Sequence, residues 1–173
     1  MTSILVTTGQ LVDPFHMENV RLTAKMFIKP LCMLNRYTGH TIRPLPVAEH
    51  TYKLSKSKAV VTAGLQRAAL LHDFNEALTN DLPRPFKQAL PDYVAFEERV
   101  QRYIFAWYNE PWENMDALKE FDFRICQDEM QQLFDEPFDL GVEPLDIHFS
   151  ATEQHWTVWE QLLTERCAEF GIH

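Results

Sequence analysis

Glycine, cysteine and positive charge are all scarce in this sequence, which holds 5 glycines, 3 cysteines and 16 lysines and arginines among 173 residues. With hydrophobic residues at 46% and charged ones at 24%, the balance is that of a globular protein. A low-complexity, disordered or fibrous chain is excluded. Cys32, Cys126 and Cys167 are odd in number, far apart and set in apolar patterns, which argues against a disulfide scaffold and fits reduced thiols acting as small buried hydrophobes. The apolar stretches are short and broken by charge, so no membrane span is expected. The opening MTSILVTTGQLVD shows neither the basic leader nor the apolar run of a secretion signal, and the expectation is a cytoplasmic protein. Acidic residues number 25 and leave a formal net charge of -9. That field repels nucleic-acid backbones and anionic membrane, so neither duplex nucleic acid nor membrane is an expected partner.

What is present is helical periodicity. The length suits one domain over residues 1–173, and the pattern predicts an all-α helical bundle and allows a short N-terminal hairpin from ILVTTGQLVD. Apolar positions recur at helical spacing from Glu18 to Leu34, with Pro30 as a kink or break. RYTGHTIRPLP reads as an ordered loop, and a helix restarting at Pro46 or Val47 carries His50 to about Ser57. Thr62 to Leu78 reads as one long buried central helix. NDLPRPFKQALP breaks it, and Tyr93–Tyr108 and Met115–Phe134 follow as amphipathic helices. Pro137 to Phe149 reads as an acidic surface excursion. The last helix, Thr152–Phe170, has Trp156, Trp159, Leu162, Leu163 and Cys167 as its apolar stripe.

Chemistry concentrates in Leu70-Leu71-His72-Asp73-Phe74-Asn75-Glu76. Ionisable groups seldom enter an apolar helix unless paired or metal-bound, because desolvating a lone charge is costly. Helical spacing puts His72 and Glu76 one turn apart, with Asp73 on their flank. Two such ligands make a weak site. His50 in the preceding helix and Asp122 in the apolar FDFRI segment would supply the rest of a two-His, two-carboxylate set that leaves room for water and a phosphate oxygen, an arrangement the spacing is compatible with but does not demonstrate. A satisfied side-chain pair is the competing explanation for His72 and Asp73.

ALLHDFNEALTNDLPRPFK resembles the diagnostic segment of the HD-domain metal-dependent phosphohydrolases, in their small nucleotidase branch of bacteria and phages. RYTGHTIRPLPVAEHT upstream and LKEFDFRICQDE downstream match the same branch in the same order, so the resemblance runs from about Arg36 to Glu129. It implies an all-helical fold and one divalent ion (Co, Mn, Ni, Zn or Mg) held by His50, His72, Asp73 and Asp122. It also implies hydrolysis of a phosphoester in a free nucleotide, with release of phosphate from a nucleoside 5'-monophosphate slightly ahead. The alternative is release of triphosphate from a dNTP, because the chain also resembles small phage dATP triphosphohydrolases. A catalytically inactive nucleotide-binding or interaction module is the third reading.

Within that resemblance Glu76 and Asp81 take the acid and base roles, with the division between them open. Glu76 paired with Arg67 or Arg84, and Asp81 as a helix cap, are the structural alternatives. Arg36 resembles the family arginine that approaches phosphate and sugar, and a guanidinium suits that task. Lys119, three residues before Asp122, is expected to point its charge into the same cavity. His40, Arg43 and Arg84 are further cations in the right loops, and Pro85 is a candidate apolar wall for a nucleobase. Family members of this size form homo-oligomers, and a phage-encoded copy would work in the host cytoplasm.

Overall fold

The computed structural model describes residues 3–173. A two-residue hairpin opens the chain: β1 (Ile4–Leu5) pairs antiparallel with β2 (Leu11–Val12), Ile4 opposite Val12. Gly9 supplies the positive φ of 80° that the turn needs. The rest is a helical bundle of α1 (Ala24–Met33), α2 (Val47–Lys56), α3 (Lys58–Ala63), α4 (Gln66–Leu71), α5 (Glu76–Thr79), α6 (Arg84–Ala89), α7 (Pro91–Trp107), α8 (Trp112–Gln132) and α9 (Trp156–Glu169). Among the described residues no helix is long and apolar enough to cross a membrane.

Helix α2 is the hub. It packs against α1, α4 and α9 and also meets α3 and α8. Seven of its ten residues are buried, so its buried ionisable members Glu49 and His50 must find partners inside the protein. Glu49 is met by Arg43 in a two-pronged ion pair of 2.8 and 2.9 Å, and Arg43 also donates to the carbonyls of Ser150 and Pro44, each at 2.7 Å. Arg43 is thereby a structural clamp rather than a phosphate ligand. Removing one partner of a buried pair strands the other charge. Glu49→Ala is expected to cost about 3–5 kcal/mol of unfolding free energy, read as a lowered midpoint in urea with metal absent.

Three expectations about elements are corrected. The first helix begins at Ala24 rather than Glu18, and Pro30 sits inside it without ending it. The central helix is not continuous. Ser57 caps α3 by accepting from the Val60 N–H, and Gly64 at φ 72° closes it. Helix α4 then stops at Leu71, and the chain advances by i+3 hydrogen bonds, Phe74 to Leu71 and Glu76 to Asp73, before α5 begins. His72 and Glu76 are therefore not successive members of one helical face. Helical composition hid this break, which Gln101 of α7 stabilises by donating to the Leu71 carbonyl at 2.8 Å and accepting from the Asn75 N–H at 3.3 Å.

Segment 137–149 runs over the surface without helix or strand, as expected, and is tied down at its far end. The Asp128 carboxylate of α8 accepts from the Leu145 and Ile147 N–H groups at 2.7 and 3.0 Å, and Gln132 both donates to the Ile147 carbonyl and accepts from the Phe149 N–H. Leu145 and Phe149 are buried beneath it. The 36–46 loop is likewise ordered as expected. Its base is closed by Arg36 N–H to the Leu45 carbonyl and Val47 N–H to the Leu34 carbonyl, both 2.9 Å, which seats Arg36 beside the start of α2.

Candidate metal centre

The fold brings His50 from α2, His72 and Asp73 from the turn after α4, and Asp122 from α8 to one point. Ligand atoms of His50, His72 and Asp122 all lie within 4.8 Å of one another. His50 Nε2 is 3.3 Å from His72 Nε2 and 3.0 Å from Asp122 Oδ1. Asp73 Oδ2 lies 3.0 Å from His72 Nε2 and 3.7 Å from His50 Nε2, yet it has no hydrogen-bond partner.

These positions fit a cation. The His72 Nδ1 faces the Ala69 carbonyl at 2.7 Å, and a carbonyl only accepts, so Nδ1 carries the hydrogen. His50 Nδ1 lies 2.7 Å from Glu129 Oε1. Burial works to raise the Glu129 carboxyl, but Arg36 and His50 outweigh it and hold it below the ordinary carboxylate range. It is thus an acceptor too. In the neutral imidazoles both Nε2 atoms are bare lone pairs, 3.3 Å apart and flanked by two carboxylates. Four electron-pair donors converging in a buried space need positive charge between them, and two imidazoles with two carboxylates suit a divalent transition ion.

Without metal, protons take that place. Burial disfavours an imidazolium at His72, but Asp73 and Asp122 prevail and hold its pKa well above the ordinary value; His50 is raised as well, against burial and Arg36, by Glu129 and Asp122. A raised histidine gives the metal-free fold stability that is complete below the unfolded pKa of about 6.5 and is lost as pH rises through the folded value. Metal binding needs the deprotonated rings. The melting-temperature gain on adding Mn2+ is therefore expected to be larger at pH 8 than at pH 6. A gain independent of pH would separate the ion from these histidines.

His72, Asp73 and Asp122, with His50 buried outside the lining, sit in a cleft of about 630 Å³, bounded by α7, α8 and the 81–87 segment and lined also by Arg36, Tyr37, Glu76, Asp81, Pro85, Lys87, Glu97, Trp112, Met115, Lys119, Phe123 and Cys126. Glu76 is buried, and its Oε2 has no partner. Burial, with Asp73 and Asp81 adding to it, holds its carboxyl well above the ordinary range against Lys87 and Arg36. Its nearest cation is Lys87 at 3.9 Å, neither Arg67, which faces Glu110, nor Arg84, which lies over the Phe123 ring. Asp81 is also raised, by burial and Asp73 against Arg36 and Lys87. The N-cap of α6 is Pro83, so Asp81 is not held as a helix cap.

Arg36 lies at the cleft as expected, but not on solvated surface. Its Nε donates to Glu129 at 3.2 Å, and Nη1 is 3.9 Å from Asp73. Pro85 lines the same cleft. Lys119 departs from expectation: its chain borders the cleft, but its exposed ammonium is held by Asp116 at 2.6 Å, one turn back on α8. His40 is exposed and lies outside the cleft lining. Cys32 and Cys167 are buried as expected, each thiol pushed up to about 12 chiefly by burial.

Two residues escaped the sequence reading. Lys87, on the short helix α6, reaches Glu97 at 2.8 Å and faces Glu76. Glu129 lies seven residues after Asp122, which is two turns of α8, and that spacing was the available signal.

The fold and the cluster define an all-α protein with a buried His/His/Asp centre able to coordinate a metal ion, an arrangement consistent with metal-dependent hydrolysis. No family model matches the chain. A curated protein of Escherichia coli (strain K12), Uncharacterized protein YfdR, is 32% identical to it over 98 residues, which cover 57% of this chain and 53% of that protein. The match thus spans about half the length of that relative.

Proposed function

We propose that residues 1–173 form one HD-type phosphohydrolase domain that acts on free deoxynucleotides, with one divalent ion held by His50, His72, Asp73 and Asp122. The reaction is release of inorganic phosphate from a nucleoside 5'-monophosphate. One observation supports this above the others: the cluster borders a cleft beside Glu76, a buried carboxyl held well above its ordinary pKa.

When bound, a divalent ion in this cradle supplies Lewis acidity, lowering the pKa of a water and offsetting charge on a phosphoryl oxygen. The protein's own groups do the rest. Arg36, fixed on its far side by Glu129, orients the phosphate from the cleft wall. Asp81, the more open of the two carboxyls, takes the proton of the attacking water as its oxygen bonds to phosphorus. Glu76, protonated at rest, gives its proton to the 5'-oxygen as the phosphorus–oxygen bond breaks. Pro85, Met115 and Phe123 give the remaining cleft an apolar wall.

Charge favours the monophosphate. With Glu76 protonated at rest, the lining carries five ionised carboxylates, Asp73, Asp81, Glu97, Glu98 and Asp122, against four cations, Arg36, Arg84, Lys87 and Lys119. A divalent ion leaves a surplus of one positive charge, which suits a monophosphate better than the higher charge of a triphosphate.

The test is a metal-supplemented panel of dNMPs and dNTPs with products resolved as phosphate, pyrophosphate or triphosphate. Phosphate from monophosphates is the expected result. Triphosphate from dNTPs alone would transfer the reading to triphosphohydrolysis, and no turnover with any ion would overturn both.

A further inference from the structure

Glu129 is fully buried in α8 and makes contacts in two directions. Oε1 receives His50 Nδ1 at 2.7 Å; Oε2 receives the Tyr37 hydroxyl at 2.5 Å and Arg36 Nε at 3.2 Å. Three separate parts of the chain, the 36–37 segment, α2 and α8, thus converge on one carboxylate. A buried charge is retained at a cost unless its partners are well placed. The backbone also pays to bring them there: Tyr37 and Thr38 adopt left-handed φ values of 55° and 53°, a region unfavourable to side chains with a Cβ. Tyr37 is held in it by its bond to Glu129 and by the edge-on contact of its ring with Phe134.

We propose that Glu129 is the positioning residue of the centre, setting the metal ligand His50 with one oxygen and the anion-facing Arg36 with the other. This rests on the reading of the cluster as a metal site. By taking the Nδ1 hydrogen, Oε1 leaves the His50 Nε2 lone pair aimed at His72 and Asp122, 3.3 and 3.0 Å away. Outer partners of this kind fix the tautomer and ring orientation of a ligating histidine. Oε2 holds the guanidinium with Nη1 3.9 Å from Asp73, on the cleft side of the cluster. One carboxylate therefore sets the geometry of both the ion and the arginine.

An amide cannot replace it. Glutamine offers one accepting oxygen and one donating nitrogen; the Arg36 guanidinium and the Tyr37 hydroxyl together claim the oxygen, so in E129Q the nitrogen faces His50 Nδ1 and drives its hydrogen to Nε2. Calorimetric titration of Mn2+ into the metal-free protein is expected to show affinity lowered about 10- to 100-fold in E129Q. In Y37F, which leaves the Oε1 contact intact, it should stay near wild type. A folded E129Q with wild-type Mn2+ affinity would overturn the proposal. Should E129Q fail to fold, nitrogen-15 correlation spectra of the histidine rings in the Zn2+-loaded wild type decide the matter: a hydrogen-bonded His50 Nδ1–H supports it, and a proton on Nε2 or none at Nδ1 overturns it. Neither measurement involves nucleotide. Metal binding through Glu129 without nucleotide hydrolysis would sink the functional proposal alone, whereas hydrolysis with unchanged E129Q affinity would sink this one alone.

Discussion

Asp73→Ala is expected to lower divalent-metal affinity by more than about a hundredfold, beyond the loss typical of an outer partner, and to remove metal-dependent hydrolysis with it. The side chain carries the buried oxygen that has no hydrogen-bond partner, 3.0 Å from His72 Nε2. Truncation leaves two imidazoles and Asp122, one negative charge fewer around the ion. The turn itself should survive. Its main chain is held by Gln101 and by the Glu76 N–H to the Asp73 carbonyl, none of which uses the Asp73 carboxylate. Helical circular dichroism should therefore stay close to wild type while metal analysis after desalting shows the loss. Full occupancy in D73A would remove Asp73 from the ligand set.

Glu76→Gln carries the second large effect, a single-turnover rate lowered about a hundredfold or more with metal retained, the usual scale for losing a general acid or base. The amide keeps the shape and cannot yield a proton. Its stability consequence has a definite sign. A carboxyl whose folded pKa is raised gives stability that is complete below the unfolded value of about 4.3 and is lost as pH rises through the folded value. The E76Q side chain remains neutral throughout and loses nothing. Metal-free E76Q should melt above wild type at pH 8 and level with it near pH 4. If E76Q instead loses metal as D73A does, Glu76 is itself a ligand and Asp81 becomes the proton carrier. Chemistry is read in single turnover because slow product release can mask it in steady state.

Much of this protein is legible in its sequence. The helical bundle with its short hairpin follows from apolar periodicity; His50, His72 and Asp122 stand out as ionisable groups in apolar segments, and it is the family resemblance, with three segments in the right order, that implies their meeting at one site. What was not legible depends on tertiary partners. The break at Gly64 and the irregular turn from His72 to Asn75 lie inside an Ala- and Leu-rich run that reads as one helix, and the turn is held by Gln101, 26 residues further along. Arg43 looks like a phosphate ligand in a loop until Glu49 is seen to receive it. Lys119 has the spacing to enter the cleft, but Asp116 holds it from the same helix face. Glu129 is the instructive miss, because its seven-residue offset from Asp122 was visible while its donors, Tyr37 and Arg36, lie 92 and 93 residues away.

In the proposed centre His50, His72, Asp73 and Asp122 hold one divalent ion beside the cleft. Crystals of the protein loaded with Zn2+, measured at the zinc absorption edge, test it directly. One anomalous peak is expected about 2.0–2.2 Å from both Nε2 atoms and from an oxygen of each aspartate. A peak elsewhere, or an ion-free cluster whose histidines pair directly with the two aspartates in the presence of Zn2+, would contradict it.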